Sequence, residues 1–146
     1  MTTEHPPETA APNQAEIVWV NPPGLPTNAA FSQAVRIPAH ADLVFVGGQN
    51  GIDAGGSLAG PGLADQTAAA LANLTACLQA AGAQLSDVVA WSVLLTAGTS
   101  PREGLVAFTK AWPATTPPPT VTVAIVSSLA IPGALVEIAA TAAVAA

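Results

Sequence analysis

Charge is scarce in this 146-residue chain: Asp, Glu, Lys and Arg make up 8% of it, and only three residues are Lys or Arg. A net charge of −6 with so few cations leaves no basic stripe for a phosphate backbone, so nucleic acid is not an expected partner. Cysteine is nearly absent too. The single Cys77 excludes an internal disulfide and any multi-cysteine metal site, and it suits a reducing cytosol, so the expected compartment is the cytoplasm. Breaker-free apolar runs are missing. The uncharged stretch from Gln66 to Ser86 carries Gln66, Asn73, Thr75, Gln79 and Gln84 on one side of a helical pattern. That from Ala111 to Val136 is interrupted by Pro113, Pro117, Pro118, Pro119 and Pro132, so no membrane partner is expected. Residues 1–15 hold two acids and no apolar core, which excludes a secretory signal; they read as a disordered tail before a folded domain over residues 16–146.

What the chain does have is apolar side chain: 51% of residues are hydrophobic. This length supports one core, and so little charge cannot coat an isolated monomer, which points to self-association. Apolar runs at Ile17 to Val20, Ala30 to Ile37 and Leu43 to Val46, punctuated by Asn21-Pro22-Pro23-Gly24 and Gly47-Gly48, read as three strands. Leu71, Leu74, Leu78 and Ala81 recur at helical spacing, with Gly82 where a left-handed cap belongs. Asp87 to Thr96 is β-branched and nearly continuous in hydrophobicity, as for a central strand covered on both faces. Ser100-Pro101-Arg102-Glu103 combines three helix-start signals, with a buried stripe expected at Leu105, Phe108 and Trp112 and a stop at Pro113. Two more strands, Val121 to Val126 and Leu135 to Val144, flank a turn at Pro132-Gly133. The order β-β-β-α-β-α-β-β predicts an α+β fold with both helices on one face of a mixed sheet, its other face buried against further copies of the chain.

Local sequence carries a resemblance from about Val20 to Ala142. Its blocks are Phe31-Ser32-Gln33-Ala34-Val35, Val44-Phe45-Val46-Gly47-Gly48-Gln49, Gln66-Thr67 with Leu71, Asn73 and Leu74, Ala80-Ala81-Gly82-Ala83, Leu85-Ser86-Asp87-Val88-Val89, Pro117-Pro118 and Leu135-Val136-Glu137-Ile138. In this order the chain resembles the RidA (YjgF/YER057c/UK114) family. The resemblance implies a chorismate-mutase-like fold with a six-stranded mixed sheet, and a homotrimer with an inner β-barrel and three inter-subunit clefts. It also implies hydrolysis of reactive enamines and imines formed by pyridoxal-phosphate enzymes, releasing ammonia and a keto acid. The family's water-holding glutamate corresponds to Glu137, and its glycine turn, which supplies backbone hydrogen bonds, to Gly47-Gly48. The arginine that pairs with the substrate carboxylate falls on Thr120; the family's cleft tyrosine is Phe31 and a helix asparagine is Leu105.

Loss of that guanidinium removes two parallel charge-assisted hydrogen bonds worth roughly 1.5–3 kcal/mol each, against one neutral donor from a threonine. The cleft is therefore expected to take a ligand without a carboxylate, or one whose acid group is held elsewhere. Glu137 is the expected catalytic residue, with Phe31, Gly47, Gly48, Leu105, Thr120 and Thr122 as ligand contacts. Thr120 and Thr122 equally suit plain strand positions, and Cys77 reads as a buried core residue. Neither His5 nor His40 belongs to a metal or triad pattern, and no cofactor is expected. Two readings stay open: a deaminase-type hydrolase acting on a small neutral metabolite, or a trimer that binds a small molecule without turnover.

Overall fold

The computed structural model describes residues 16–111 and 117–145, so the sequence expectations for residues 1–15, Trp112 and Pro113 lie outside it. The eight expected elements occur in the expected order. They are β1 (Val18–Val20), β2 (Ala34–Arg36), β3 (Asp42–Asn50), α1 (Leu63–Ala80), β4 (Val88–Thr96), α2 (Pro101–Ala111), β5 (Thr120–Val126) and β6 (Val136–Val144), with a 3-10 turn over Leu85–Asp87.

The six strands divide between two sheets. β3-β6-β4-β5 form a mixed four-stranded sheet in which only β4 and β5 run parallel, while β1 and β2 make a separate antiparallel ribbon of three residue pairs. Proline limits the ribbon: Pro22, Pro23 and Pro26 follow β1 and Pro38 follows β2, and each lacks the N–H that a longer ladder needs. The segment before β2 is instead tied to the entry of β5. Ser32 donates from its backbone to the Pro119 carbonyl (3.0 Å) and from its hydroxyl to that of Pro118 (2.6 Å).

Helix α1 ends as its glycine announces. Gly82 takes φ +81°, Ala83 N–H reaches the Leu78 carbonyl (2.8 Å) and Gly82 N–H that of Gln79 (3.1 Å), the paired bonds of a Schellman cap. Leu71, Leu74 and Leu78 are buried against the sheet, whereas Ala81 is an exposed cap residue. Gln66 is not on a solvent side: it is 0% exposed. Its amide donates to the carbonyls of Gly60 (2.9 Å) and Gly133 (3.2 Å) and accepts from Leu135 N–H (2.8 Å), so one glutamine pins the turn that launches β6. Cys77 is exposed, because it sits a residue before the buried Leu78 and is rotated off the apolar stripe.

In α2 the buried positions are Gly104 and, in part, Phe108, whose ring meets Trp91 edge-on at 4.9 Å between centroids. Leu105, expected in the buried stripe, is 54% exposed. Gly104 faces Leu63 and Leu95 closely enough that a Cβ would stand 3.4 Å from Leu63. The helix thus approaches the core on its glycine, which turns the next residue outward.

Strand alternation separates the four-stranded sheet into two faces. Val46, Trp91, Leu95, Val136, Ile138, Ala140 and Ala142 belong to the core beneath the helices. Registers place Leu43, Phe45, Ala90, Ser92, Leu94, Thr120, Thr122, Glu137, Ala139 and Thr141 on the other face. No described element covers it: Phe45 is 74% exposed and Ser92 on β4 is open, so β4 is central but covered on one face only.

Candidate functional site

Gly47-Gly48 is not a turn at a strand end. It is a β-bulge inside β3: Val46 pairs with Ala140 and Gln49 with Ile138, so two glycines oppose the single Ala139. The physical reason is on the partner strand. A Cβ on Gly48 would overlap the Glu137 carboxylate and stand 2.7 Å from its Cγ, so glycine at 48 is what allows the acid to lie across β3. The Gly47 carbonyl accepts a hydrogen bond from the Gln49 amide at 3.2 Å.

Glu137 is half-buried, opposite Asn50 on β3 and Leu94 on β4. Among the described residues its carboxylate has neither a hydrogen-bond donor nor a cation. Its backbone setting is firmly held. The Asn50 side chain donates to the Val136 carbonyl (2.9 Å), and Asn73 on α1 donates to the carbonyls of Asn50 (3.1 Å) and Ile52 (2.8 Å). The acid therefore stands on a rigid strand, beside a backbone bulge, on the uncovered face of the sheet.

The other nominated residues divide. Thr120 and Thr122 share the Glu137 face but lie on β5, two strand spacings or about 10 Å across the sheet, so one chain does not bring them together with the acid. The Thr120 hydroxyl donates to the Val89 carbonyl (3.3 Å) and Thr122 is exposed. Phe31 and Leu105 are on the opposite side of the sheet. They line a cavity of about 610 Å³ between α2, residues 29–31 and the helix-side face of the sheet. Two threonines that sequence reasoning did not nominate also border it: Thr67, buried on α1, and Thr109 on α2, whose hydroxyl donates to the Val106 carbonyl (3.1 Å). No group of His, Cys, Asp and Glu among the described residues could hold a metal ion. No described helix is long and apolar enough to cross a membrane.

Residues 24–144 match the model of the family described as Endoribonuclease L-PSP. The chain belongs to this family. Solved structures superpose over most of the chain. A Rid-family protein of unknown function from Yersinia pestis, YyfB, is 28% identical with a TM-score of 0.76, covering 88% of this chain and 98% of its own. Rv2704 of Mycobacterium tuberculosis, described as a member of the YjgF/YER057c/UK114 family, is 34% identical with a TM-score of 0.61, covering 88% of this chain and 100% of its own. E. coli TdcF with bound serine, at 20% identity and a TM-score of 0.62 over 80% of this chain and 95% of its own, shares the fold. No curated protein matches. The resemblance read from the sequence blocks is thus a family membership, and the α+β fold is that of the Rid relatives.

Proposed function

We propose that this L-PSP-family chain is a deaminase-type hydrolase of small imines or enamines lacking a carboxylate, working as a homotrimer with its site between subunits. The observation that carries the proposal is the Glu137 carboxylate lying over the bare Cα of Gly48. An acid in an apolar strand, without donor or cation among the described residues, is suited to hold a water molecule. In the proposed reaction Glu137 takes a proton from that water as the oxygen bonds to the imine carbon and the C=N π pair moves to nitrogen, and it returns that proton to the nitrogen. The bulge amides steady the polarised adduct; Glu137 then carries the adduct's hydroxyl proton to the nitrogen as the C–N bond breaks, so imine plus water gives carbonyl plus ammonia.

Trimerisation is favoured by the open face carrying Leu43 and Phe45, and by the roughly 10 Å separation of Thr120 and Thr122 from Glu137 within one chain. In a trimer a neighbour's β5 could supply the second wall. Substrate choice follows from Thr120 at the family's arginine position. The ribonuclease activity in the family's description finds no electrostatic support in a chain with three cationic side chains against nine acids.

The test is ammonia release from imines generated in situ by an amino-acid oxidase or an amine oxidase. A neutral imine is expected to be turned over at least ~10-fold faster than 2-iminopropionate. Glu137→Gln should lower the rate by about 10²-fold or more with the trimer intact. Robust turnover of 2-iminopropionate, or a Glu137→Gln variant as active as the parent, would refute the reading; absence of turnover on every imine would favour the binding-only trimer.

A further inference from the structure

Ser92 is the one polar residue of β4 between Val88 and Leu95. The registers put it on the open face, where it pairs with Ala139 on β6 and with Thr122 on β5. Ala139 is also the residue that the Gly47-Gly48 bulge opposes from the other side of β6. One row of the sheet therefore runs from the bulge through Ala139 to Ser92, and Glu137 is the next residue on the same face of β6.

The carboxylate lies away from Ser92, over the Cα of Gly48, where a Cβ would overlap it. The Gly48 and Ser92 backbones are two strand spacings, or about 10 Å, apart across the sheet. Between them the row offers only the Ala139 methyl. The open face thus holds a short trough floored by alanine, with an acid and a backbone bulge at one end and a hydroxyl at the other.

The other hydroxyls of this face are placed differently. Thr120 donates to the Val89 carbonyl (3.3 Å), and Thr122 is one strand farther from β6. Thr141 is paired with Phe45 and lies about 13 Å from Glu137 along β6. Ser92 is exposed, and its hydroxyl makes no hydrogen bond to another described residue. A hydroxyl on a face that a neighbouring copy covers needs a partner, because burial without one is costly.

We infer that Ser92 sets the substrate class of the Glu137 site: the imine of an α-hydroxy aldehyde. The imine carbon lies at the acid end of the trough, and the substrate hydroxyl, one carbon away, bonds Ser92 Oγ. A serine hydroxyl both donates and accepts, so it recognises a neutral hydroxyl, whereas it carries no charge to pair with a carboxylate. The inference rests on the hydrolase reading for its reaction and adds a residue that reading does not use.

The experiment compares two pairs of compounds whose members differ in a hydroxyl for a methyl. One pair is the imines generated in situ by an amine oxidase from ethanolamine and from propylamine. The other is the stable amides glycolamide and propionamide, whose planar amide carbon stands in for the imine carbon. Turnover is read as ammonia release, and amide binding by NMR titration of the full-length protein. Wild type is expected to favour the hydroxyl member about 3- to 10-fold, in kcat/KM and in Kd, as for one net hydrogen bond. Ser92→Ala should bring the members of each pair level with the native mass unchanged, and Ser92→Thr, which keeps the hydroxyl, should restore the preference. Turnover of both imines at equal kcat/KM, or an undiminished hydroxyl preference in Ser92→Ala, would overturn the Ser92 assignment and leave the hydrolase reading standing. A glycolamide preference that Ser92→Ala abolishes, with neither imine turned over, would sustain Ser92 and remove the hydrolase reading. Binding of neither amide together with turnover of neither imine would overturn both.

Discussion

Replacing Gln66 with leucine tests how the β6 face is held. The glutamine is fully buried and makes three hydrogen bonds, two donated to the Gly60 and Gly133 carbonyls and one accepted from Leu135 N–H. Each bond contributes about 1 kcal/mol net, and backbone groups left buried and unpaired raise the cost of losing all three to ~3–5 kcal/mol. Leucine of similar volume returns ~1–2 kcal/mol through burial of its methyl groups, so the expected net loss is ~1–4 kcal/mol. That is a sizeable share of the ~5–15 kcal/mol that stabilises a typical domain, and corresponds to a fall in Tm of up to about 10 °C. Urea unfolding at fixed protein concentration, followed by tryptophan fluorescence, measures it; the concentration must be fixed because an oligomer's stability depends on it. Gln66→Glu keeps the acceptor for Leu135 but turns a carboxylate toward two carbonyls, and should be at least as destabilising. A Gln66→Leu protein within ~0.5 kcal/mol of wild type would show that the clamp does not hold the turn, and the positioning argument for Glu137 would fall with it.

Gly48→Ala should cost only ~1–2 kcal/mol in urea unfolding, because the group it displaces is the end of a flexible side chain, yet lower imine hydrolysis by about 10²-fold as the Glu137 carboxylate is pushed aside; equal loss of fold and activity would argue against this. Phe45→Asp places a carboxylate on the uncovered face and should convert the proposed trimer to monomer in native mass spectrometry at ~10 µM, since burying an unpaired charge costs several kcal/mol; an unchanged mass would put the interface elsewhere.

The order of elements was legible because its signals are local. Helical spacing of Leu71, Leu74 and Leu78, the left-handed Gly82 and the Ser100-Pro101 start each act within a turn or two of chain. What was not legible depends on partners distant in sequence. Gln66 reads as a surface residue until Gly133 and Leu135, more than sixty positions later, arrive to bond it. Gly47-Gly48 carries the same sequence signal whether it ends a strand or bulges within one, and only pairing with β6 distinguishes the two. Leu105 fits a buried stripe by spacing, but the glycine beside it makes the closer approach and takes the inward position. Glu137 is conspicuous in sequence as an acid in an apolar strand, and the structure puts it on the open face of the sheet.

Both faces of the sheet are written into one strand. In β6 Val136 and Ile138 face the core while Glu137 between them faces the open side, so a slip of one residue would exchange the two sets and turn the acid into the core. The structure holds the register immediately before the acid at three points. Leu135 N–H is bonded to Gln66, the Leu135 carbonyl accepts from Thr96 N–H (3.0 Å), and the Val136 carbonyl accepts from Asn50. These bonds come from α1, β4 and β3, so three elements each fix the phase of the same strand from a different direction. Two polar residues buried in this otherwise apolar core, Asn50 and Gln66, place their bonds where register decides which face the carboxylate meets.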